Sequence, residues 1–364
     1  MRLEDFDFDF PADLVATRPV EPPSDAKLLL FDRATHQLAQ KKFMNLLDEL
    51  TPQDLLVTNE TKVIPARFLC EKESGAKFEG LFLGGFFSER AEPNHQQAMT
   101  RVWLQGKWRP GETLKLLEGP EIEILSRTGK EAILKIAPSV FESYLKDFGK
   151  TPLPPYIRAA RKQRTESEDW ELDPKAYQNP FACQETDLSS KASPTASLHC
   201  DDLFFEAFER RGLQRLSLEL EIGLGTFAPI EVQELSSHRM HRERYRISSE
   251  LWRRISETKA EGGRVVALGT TVLRALESRA RLSELGDESA EAETDIFIFP
   301  PFDFRVVDAL ITNFHQPQST LLLLVAAFLE PSSLCPKALW RKVYQEAISR
   351  GFRLFSYGDA LFIR

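Results

Sequence analysis

The chain has 364 residues, 28% of them charged and 42% hydrophobic, with a formal net charge of −8. This length suggests two domains with ample core, and the acidic balance argues against a uniformly basic surface while leaving room for local basic patches. Four cysteines, Cys70, Cys183, Cys200 and Cys335, are scattered without a C-x-x-C pair, which argues against a disulfide framework or a zinc site and fits reduced thiols. The amino-terminal stretch lacks a basic-then-apolar signal pattern, and the longest apolar run, Leu321 to Leu329, is far too short to span a bilayer. A cytoplasmic location is expected.

In chain order, Phe6, Phe8 and Phe10 share one side of an extended segment. A short helix starts at Pro11. Leu28 to Asp32 reads as a strand, Phe43 to Leu50 as a helix, and Asp54 to Thr58 as a second strand. From Phe68 to about Ser139 short β-prone runs alternate with Gly-rich turns, the pattern of a small antiparallel barrel that Trp103 and Trp108 would fill. Pro138 to Lys146 is expected to be helical, and Pro152, Pro154 and Pro155 to form a stiff connector. Glu166 to Ser193 is polar and without periodicity, and reads as a mobile loop. Asp201 to Arg211 is a helix stopped by Gly212. Ser217 to Ile222 is a strand, followed by the Gly-Leu-Gly turn at 223–225. Ser249 to Glu261 is a helix, Arg264 to Leu268 a strand, and Val272 to Leu282 a helix. Glu284 to Thr294 reads as an acidic solvated loop. Asp295 to Phe299 and Val306 to Thr312 read as strands. Ser319 caps a buried helix through Leu329. Leu334 to Arg350 is the last helix, and Phe355 to Asp359 and Leu361 to Ile363 finish the chain. Alternation of strands and helices outside 68–139 gives a layered α/β domain. The expected domains are 1–67 plus 140–364, with the β-barrel inserted at 68–139.

Several stretches could carry chemistry. Ser193 to His199 and Glu221 to Phe227 bracket a helix with small-residue turns suited to a polar, nucleotide-sized ligand. Gly269-Thr270-Thr271 lies between a strand and a helix, where backbone donors and the helix dipole favour an anion such as a ligand carboxylate or a tRNA phosphate; a plain capping turn is the alternative. His199 and His315 each follow an apolar run and are either proton-transfer groups or satisfied structural imidazoles. Asp295, Asp308 and Asp359 lie at strand edges in apolar surroundings, as acid/base or hydroxyl-binding groups or as salt-bridge partners. His238 and His241 lack a third ligand within reach, so no metal is expected. Two basic stretches, Arg158 to Arg164 and His238 to Arg246, contain aromatic residues and could track an RNA backbone, or simply be solvated faces.

Eight segments, in this order, resemble the S-adenosylmethionine:tRNA ribosyltransferase-isomerase family of queuosine biosynthesis. They are Phe6-Asp7-Phe8 with Pro11; Asn59 to Arg67; Pro194-Thr195-Ala196-Ser197-Leu198-His199; Gly223-Leu224-Gly225-Thr226-Phe227; His238 with Met240-His241; Gly269-Thr270-Thr271 with Arg274; Thr312-Asn313-Phe314-His315 with Pro317; and Phe355-Ser356 with Gly358-Asp359-Ala360. The resemblance implies transfer and isomerisation of the ribosyl part of S-adenosylmethionine onto 7-aminomethyl-7-deazaguanine at the tRNA wobble position. The product is epoxyqueuosine, and adenine and methionine are released. It also implies an α/β domain with a small β-barrel, S-adenosylmethionine as co-substrate without a resident cofactor, tRNA as partner and no membrane. A monomer is expected.

On the matching positions, His199, His315 and Asp308 are the expected catalytic groups. Asn59, Lys62, Arg67, Thr195, Ser197, Glu221, Gly223, Gly225, Thr226, Thr270, Thr271, Arg274, Asn313 and Asp359 are the expected substrate-binding residues. Arg158, Arg161, Lys162, Arg164, Arg239, Arg242 and Arg244 would meet tRNA. The sequence departs from the family pattern at several motif positions. Ser197 and Cys200 replace Gly and Phe, Glu221 replaces His, and Val272 replaces Ser. Glu60 and Lys62 replace Asp and Arg, and Phe299-Pro300-Pro301-Phe302 replaces a Tyr-Pro-Gly-Tyr turn. The Arg-rich segment near residues 23 to 27 is reduced to Lys27. A re-tuned active enzyme and a catalytically impaired tRNA-binding paralogue are the two readings these departures leave.

Overall fold

The computed structural model describes residues 1–87, 98–184, 188–223, 230, 232–284, 290–332 and 339–364. The chain divides into two compact units. One comprises Met1–Lys62, Pro154–Glu168 and Ala176–Arg364; the other comprises Val63–Leu153 and Asp169–Lys175.

The larger unit is built on a nine-stranded mixed sheet, in the order Glu291–Thr294, Glu243–Arg246, Gln214–Leu220, Leu55–Asn59, Val265–Leu268, Ala309–Asn313, Ala360–Ile363, Lys27–Phe31 and Leu38–Lys42. The four strands from Gln214–Leu220 to Ala309–Asn313 run parallel. Ala360–Ile363 turns antiparallel against Ala309–Asn313. Central strands such as Val265–Leu268 are buried on both faces, as their unbroken apolar sequence requires. Successive side chains point to opposite faces. Leu55, Val57, Val265, Ala267 and Leu310 therefore pack with the helices Thr270–Glu284, Thr320–Leu329 and Leu339–Ser349. Leu56, Val266, Leu268, Ala309 and Ile311 pack instead with Phe43, Leu46, Phe204 and Phe208.

Three local expectations are corrected. Asp295 to Phe299 is not a strand; the strand is Glu291–Thr294, within the segment read as a solvated loop. Its acidic side chains are cross-strand partners for the basic strand Glu243–Arg246: Glu291 pairs opposite Arg246, and the two form an ion pair. Phe43 to Asp48 is a 3-10 helix rather than an α-helix. Within the stretch read as a mobile loop, Asn179 is buried and its amide donates to the carbonyls of Asn59 (2.7 Å) and Thr61 (2.9 Å). The turn after the strand Leu55–Asn59 orders it.

The smaller unit is a closed barrel of six strands, each paired antiparallel with its neighbours, from Arg67–Glu71 to Glu131–Leu134. Closure leaves no sheet edge exposed. Phe68, Phe82, Val102, Leu114, Ile124 and Leu134 fill the interior. At Gly80 a Cβ would lie 2.1 Å from the Phe68 ring, so only glycine leaves room for that ring over the paired strand. The helix Pro138–Phe148 belongs with this core through Phe141, Tyr144 and Leu145, which carries the unit beyond residue 139. Trp108 is buried as expected, but Trp103 is 41% exposed and faces outward, with the Lys130 ammonium 4.7 Å from its ring centre.

Candidate active site

Parallel strands with returning helices open a crevice at their carboxyl ends, where helix N-termini gather. Val265–Leu268 ends at Gly269, whose φ of +104° turns the chain directly into the helix Thr270–Glu284. Ala309–Asn313 runs on into Phe314 and His315. Ser319 then caps the helix Thr320–Leu329, its Oγ accepting from the Leu322 N–H at 3.2 Å. Between these turns lies a cavity of about 640 Å³. Its wall includes Ser193 to Ala196, Gly269 to Thr271, Thr312 to Ser319, and Phe355 with Ser356. Asp7, Phe10 and Tyr156 complete one side.

Thr195 Oγ1 donates to Asn313 Oδ1 at 2.9 Å, fixing the Asn313 amide with its nitrogen 3.4 Å from His199 Nε2. His315 is half-buried in the wall. Its Nε2 lies 2.8 Å from Thr312 Oγ1, and its backbone N–H donates to the Tyr344 hydroxyl at 3.1 Å. Burial pushes the His315 imidazole down to about 3, so it is neutral near pH 7. Two further hydroxyls of the wall, Ser193 Oγ and Thr271 Oγ1, are buried without a hydrogen-bond partner. Phe355 holds a positive φ of 71°, a costly conformation for a bulky residue. Its N–H bonds the Phe314 carbonyl at 3.0 Å, and its ring packs on Phe10 and Tyr156.

Of the residues expected from sequence, Thr195, Thr270, Thr271, Asn313 and His315 meet at this cavity. His199 does not line it. It is 4% exposed beneath Phe43, and burial followed by the Arg353 charge lowers it to about 3. Asp308 precedes the strand Ala309–Asn313 and so stands at the opposite end of the sheet, roughly 16 Å from Asn313 by strand rise. There its carboxylate accepts from the Val265 N–H at 2.8 Å and from Lys259 at 2.9 Å. Asp359 is a structural hub that accepts from the backbone N–H groups of Lys27 and Arg353. Asp295 is on the surface, 3.8 Å from Arg242.

Asn59 Oδ1 accepts from the N–H groups of Thr61 and Leu220, joining two strand ends. Lys62 donates to Gln184 at 2.7 Å. Arg67 belongs to the barrel unit and pairs with Glu79 at 3.3 Å. Ser197 directs its hydroxyl to the Pro194 carbonyl (2.7 Å) and Asn179 (3.0 Å), outside the cavity wall. Arg274 forms a buried ion pair with Glu243. Gly223 has open space where a Cβ would stand. Gly225 and Thr226 lie outside the described residues. Glu221 is clasped by Lys191 and by Arg244, the latter at 2.9 Å. Burial raises its carboxyl, and the two cations outweigh that and hold it below its ordinary value.

The basic stretches divide. Arg161 is buried and donates to the Thr17 carbonyl at 2.9 Å, and Arg164 donates to the carbonyls of Ala12, Asp13 and Val15. Arg158 pairs with Glu168. Lys162, Arg239, Arg242 and Arg244 are exposed. Sequence reasoning did not place Asp7, Tyr156, Ser193 or Ser356 in the wall. Ser193 opens the stretch read as suited to a ligand, and Asp7 and Ser356 lie within resemblance segments without an assigned role; Tyr156 alone carried no such signal beyond its place beside a basic stretch.

A family model described as queuosine biosynthesis protein matches residues 3–363. The chain belongs to this family. It is 42% identical over 364 residues to the S-adenosylmethionine:tRNA ribosyltransferase-isomerase of Citrifermentans bemidjiense, covering 100% of both chains. To the protein of that name from Thermotoga petrophila it is 38% identical over 369 residues, again covering 100% of both. The crystal structure of S-adenosylmethionine tRNA ribosyltransferase from Thermotoga maritima is similar in fold. Its TM-score is 0.53 at 31% identity, covering 99% of this chain and 100% of that one. Among the described residues no cluster of metal-ligating side chains occurs and no helix is long and apolar enough to cross a membrane.

Proposed function

We propose that this family member transfers and isomerises the ribosyl moiety of S-adenosylmethionine onto 7-aminomethyl-7-deazaguanine at the tRNA wobble position, giving epoxyqueuosine, adenine and methionine. The observation that carries this reading is the convergence of Thr195, Thr270, Thr271, Asn313 and His315, from separate motif segments, on one cavity of nucleoside size. The sulfonium acidifies the neighbouring carbon and later leaves as methionine, so positioning and proton transfer are what the protein must supply. No resident cofactor is proposed.

His315 is the proposed proton carrier. Its imidazole is neutral near pH 7, so one ring nitrogen is unprotonated and open to a proton, and the ring does not repel a sulfonium. In the tautomer whose Nε2–H donates to Thr312 Oγ1, Nδ1 is the acceptor. His199 touches Asn313 rather than the cavity, and is proposed as a positioning residue. The aminomethyl nitrogen of the base then attacks the ribosyl carbon, and ring rearrangement expels methionine. Lys162, Arg239, Arg242 and Arg244 are the proposed tRNA contacts, and the protein is proposed to work as a cytoplasmic monomer. The Glu221 departure, on which an impaired paralogue would rest, is electrostatically compensated by Lys191 and Arg244.

The test is turnover with S-adenosylmethionine and tRNA carrying the aminomethyl-deazaguanine base, with nucleosides and adenine quantified by mass spectrometry. Epoxyqueuosine with matching adenine is expected. Folded protein that binds the tRNA and yields neither product would overturn the proposal.

A further inference from the structure

The cavity wall contains two polar groups that the fold leaves unused. Ser193 is 2% exposed and Thr271 is 5% exposed, and neither hydroxyl has a hydrogen-bond partner. Nearby hydroxyls are engaged: Thr195 bonds Asn313, and Thr312 bonds His315. Other buried side-chain atoms, Thr258 Oγ1 and Trp340 Nε1 among them, also lack a partner, but those of Ser193 and Thr271 belong to residues that line this cavity, where a ligand can supply one.

The Thr271 orphan sits in the first turn of a 15-residue helix. The helical ladder begins where the Leu273 N–H reaches the Gly269 carbonyl at 3.2 Å. The N–H groups of Thr270, Thr271 and Val272 precede that bond, and the first turn of a helix presents such donors to an anion. Thr271 Oγ1 lies 3.6 Å from where a Gly269 Cβ would stand, on the side of Ala196, which also lines the cavity. No lysine or arginine lines the cavity among its described residues, and Asp7 is its charged side chain. A nucleic-acid phosphate is generally met by cations. A carboxylate held by neutral donors, inside a wall that carries one acid, fits a zwitterionic ligand whose positive groups travel with it.

Resting on the ribosyl-transfer reading above, we propose that the helix turn at Thr270–Val272, with the hydroxyls of Thr271 and Ser193, binds the α-carboxylate of the methionyl part of S-adenosylmethionine. The site would anchor the leaving group of the second half of the reaction. It would discriminate against sulfonium nucleosides that lack the carboxylate.

The test is calorimetric titration of the full chain with S-adenosylmethionine and with its decarboxylated analogue. Wild-type protein, Thr271→Val, Ser193→Ala and Thr271→Ser are compared, with melting temperature reporting the fold. The analogue should bind wild type at least about tenfold more weakly than S-adenosylmethionine, the scale of one charge-assisted hydrogen bond. Thr271→Val and Ser193→Ala should each weaken S-adenosylmethionine by about tenfold and change the analogue by less than about twofold, while Thr271→Ser, which keeps the hydroxyl, retains wild-type binding. Equal affinity of wild type for both ligands, or equal loss of both in the variants, overturns the carboxylate site and leaves the functional reading standing. A variant that loses tRNA affinity alone would instead mark a phosphate site, also overturning it. Wild type that binds neither sulfonium ligand removes both proposals.

Discussion

The two ends of the parallel strands are built from similar residue types and do opposite things. At the amino ends, Asp54 accepts from the Thr51 N–H and hydroxyl and from the Arg264 backbone and guanidinium. Asp308 is held by Lys259 and the Val265 N–H, and Arg33 closes on the Asp308 carbonyl at 2.6 Å. At the carboxyl ends the cavity wall carries neutral donors, a neutral imidazole, two unpartnered hydroxyls and a bulky residue at positive φ. Burial with full satisfaction stabilises a fold; burial with missing partners is tolerated where a ligand completes the set.

Substitution at each end should separate the two roles. His315→Ala is expected to lower kcat by about 100-fold or more, the usual range for a proton-transfer group, with little change in melting temperature. Asp54→Ala should behave in the opposite way. It leaves Arg264 without its carboxylate, costs about 3 kcal/mol, and lowers Tm by roughly 5–10 °C while kcat below the transition is unchanged. Calorimetry and steady-state kinetics on the two variants check this. Loss of activity without loss of stability in Asp54→Ala would break the comparison.

Acid should test the cavity's supporting layer next. Folded His199 stays neutral down to about 3, while in the unfolded chain it takes up a proton below about 6.5. The unfolded state then binds more protons, so stability present above pH 6.5 is lost as pH falls toward 3. Each such imidazole adds a slope of about 1.4 kcal/mol per pH unit in that window. His199→Gln should flatten the urea-derived stability profile between pH 6 and 4 by about that slope. An unchanged slope would mean His199 titrates equally in both states.

The parts legible in the sequence were those set by local pattern. Val265–Leu268 and Thr320–Leu329 are unbroken apolar runs, and they are buried throughout. The barrel followed from short strands and regular turns. Glu291–Thr294 was missed because its inward side holds only Ala292 and Thr294, too small and polar to read as an apolar alternation, and its pairing depends on charges from Glu243–Arg246. In the sequence Asp308 reads as a candidate acid because its neighbours are apolar. Only strand direction, which a sequence does not display, puts it at the end away from the cavity. The same limit hid Tyr156, which reaches the wall through tertiary packing, and left Asp7, although inside the Phe6-Asp7-Phe8 segment, without an assigned place.

The smallest expected effect divides the basic residues that sequence alone grouped together. Arg161 and Arg164 donate to main-chain carbonyls of residues 12 to 17 and so clamp the amino-terminal segment. Arg242 and Arg244 are 72% and 61% exposed in their side chains, with acidic neighbours that release cheaply in water. A guanidinium that contacts a phosphate releases counterions, so Arg242→Ala should lower the salt dependence of tRNA binding by about one unit of log–log slope. Arg161→Ala should leave that slope unchanged and lower Tm instead, because a clamp that never meets the phosphate displaces no counterion. Fluorescence anisotropy with labelled tRNA across a salt series reads both. A slope that falls for Arg161→Ala and holds for Arg242→Ala would reverse the assignment and move the RNA to the face of the helix Pro155–Gln163.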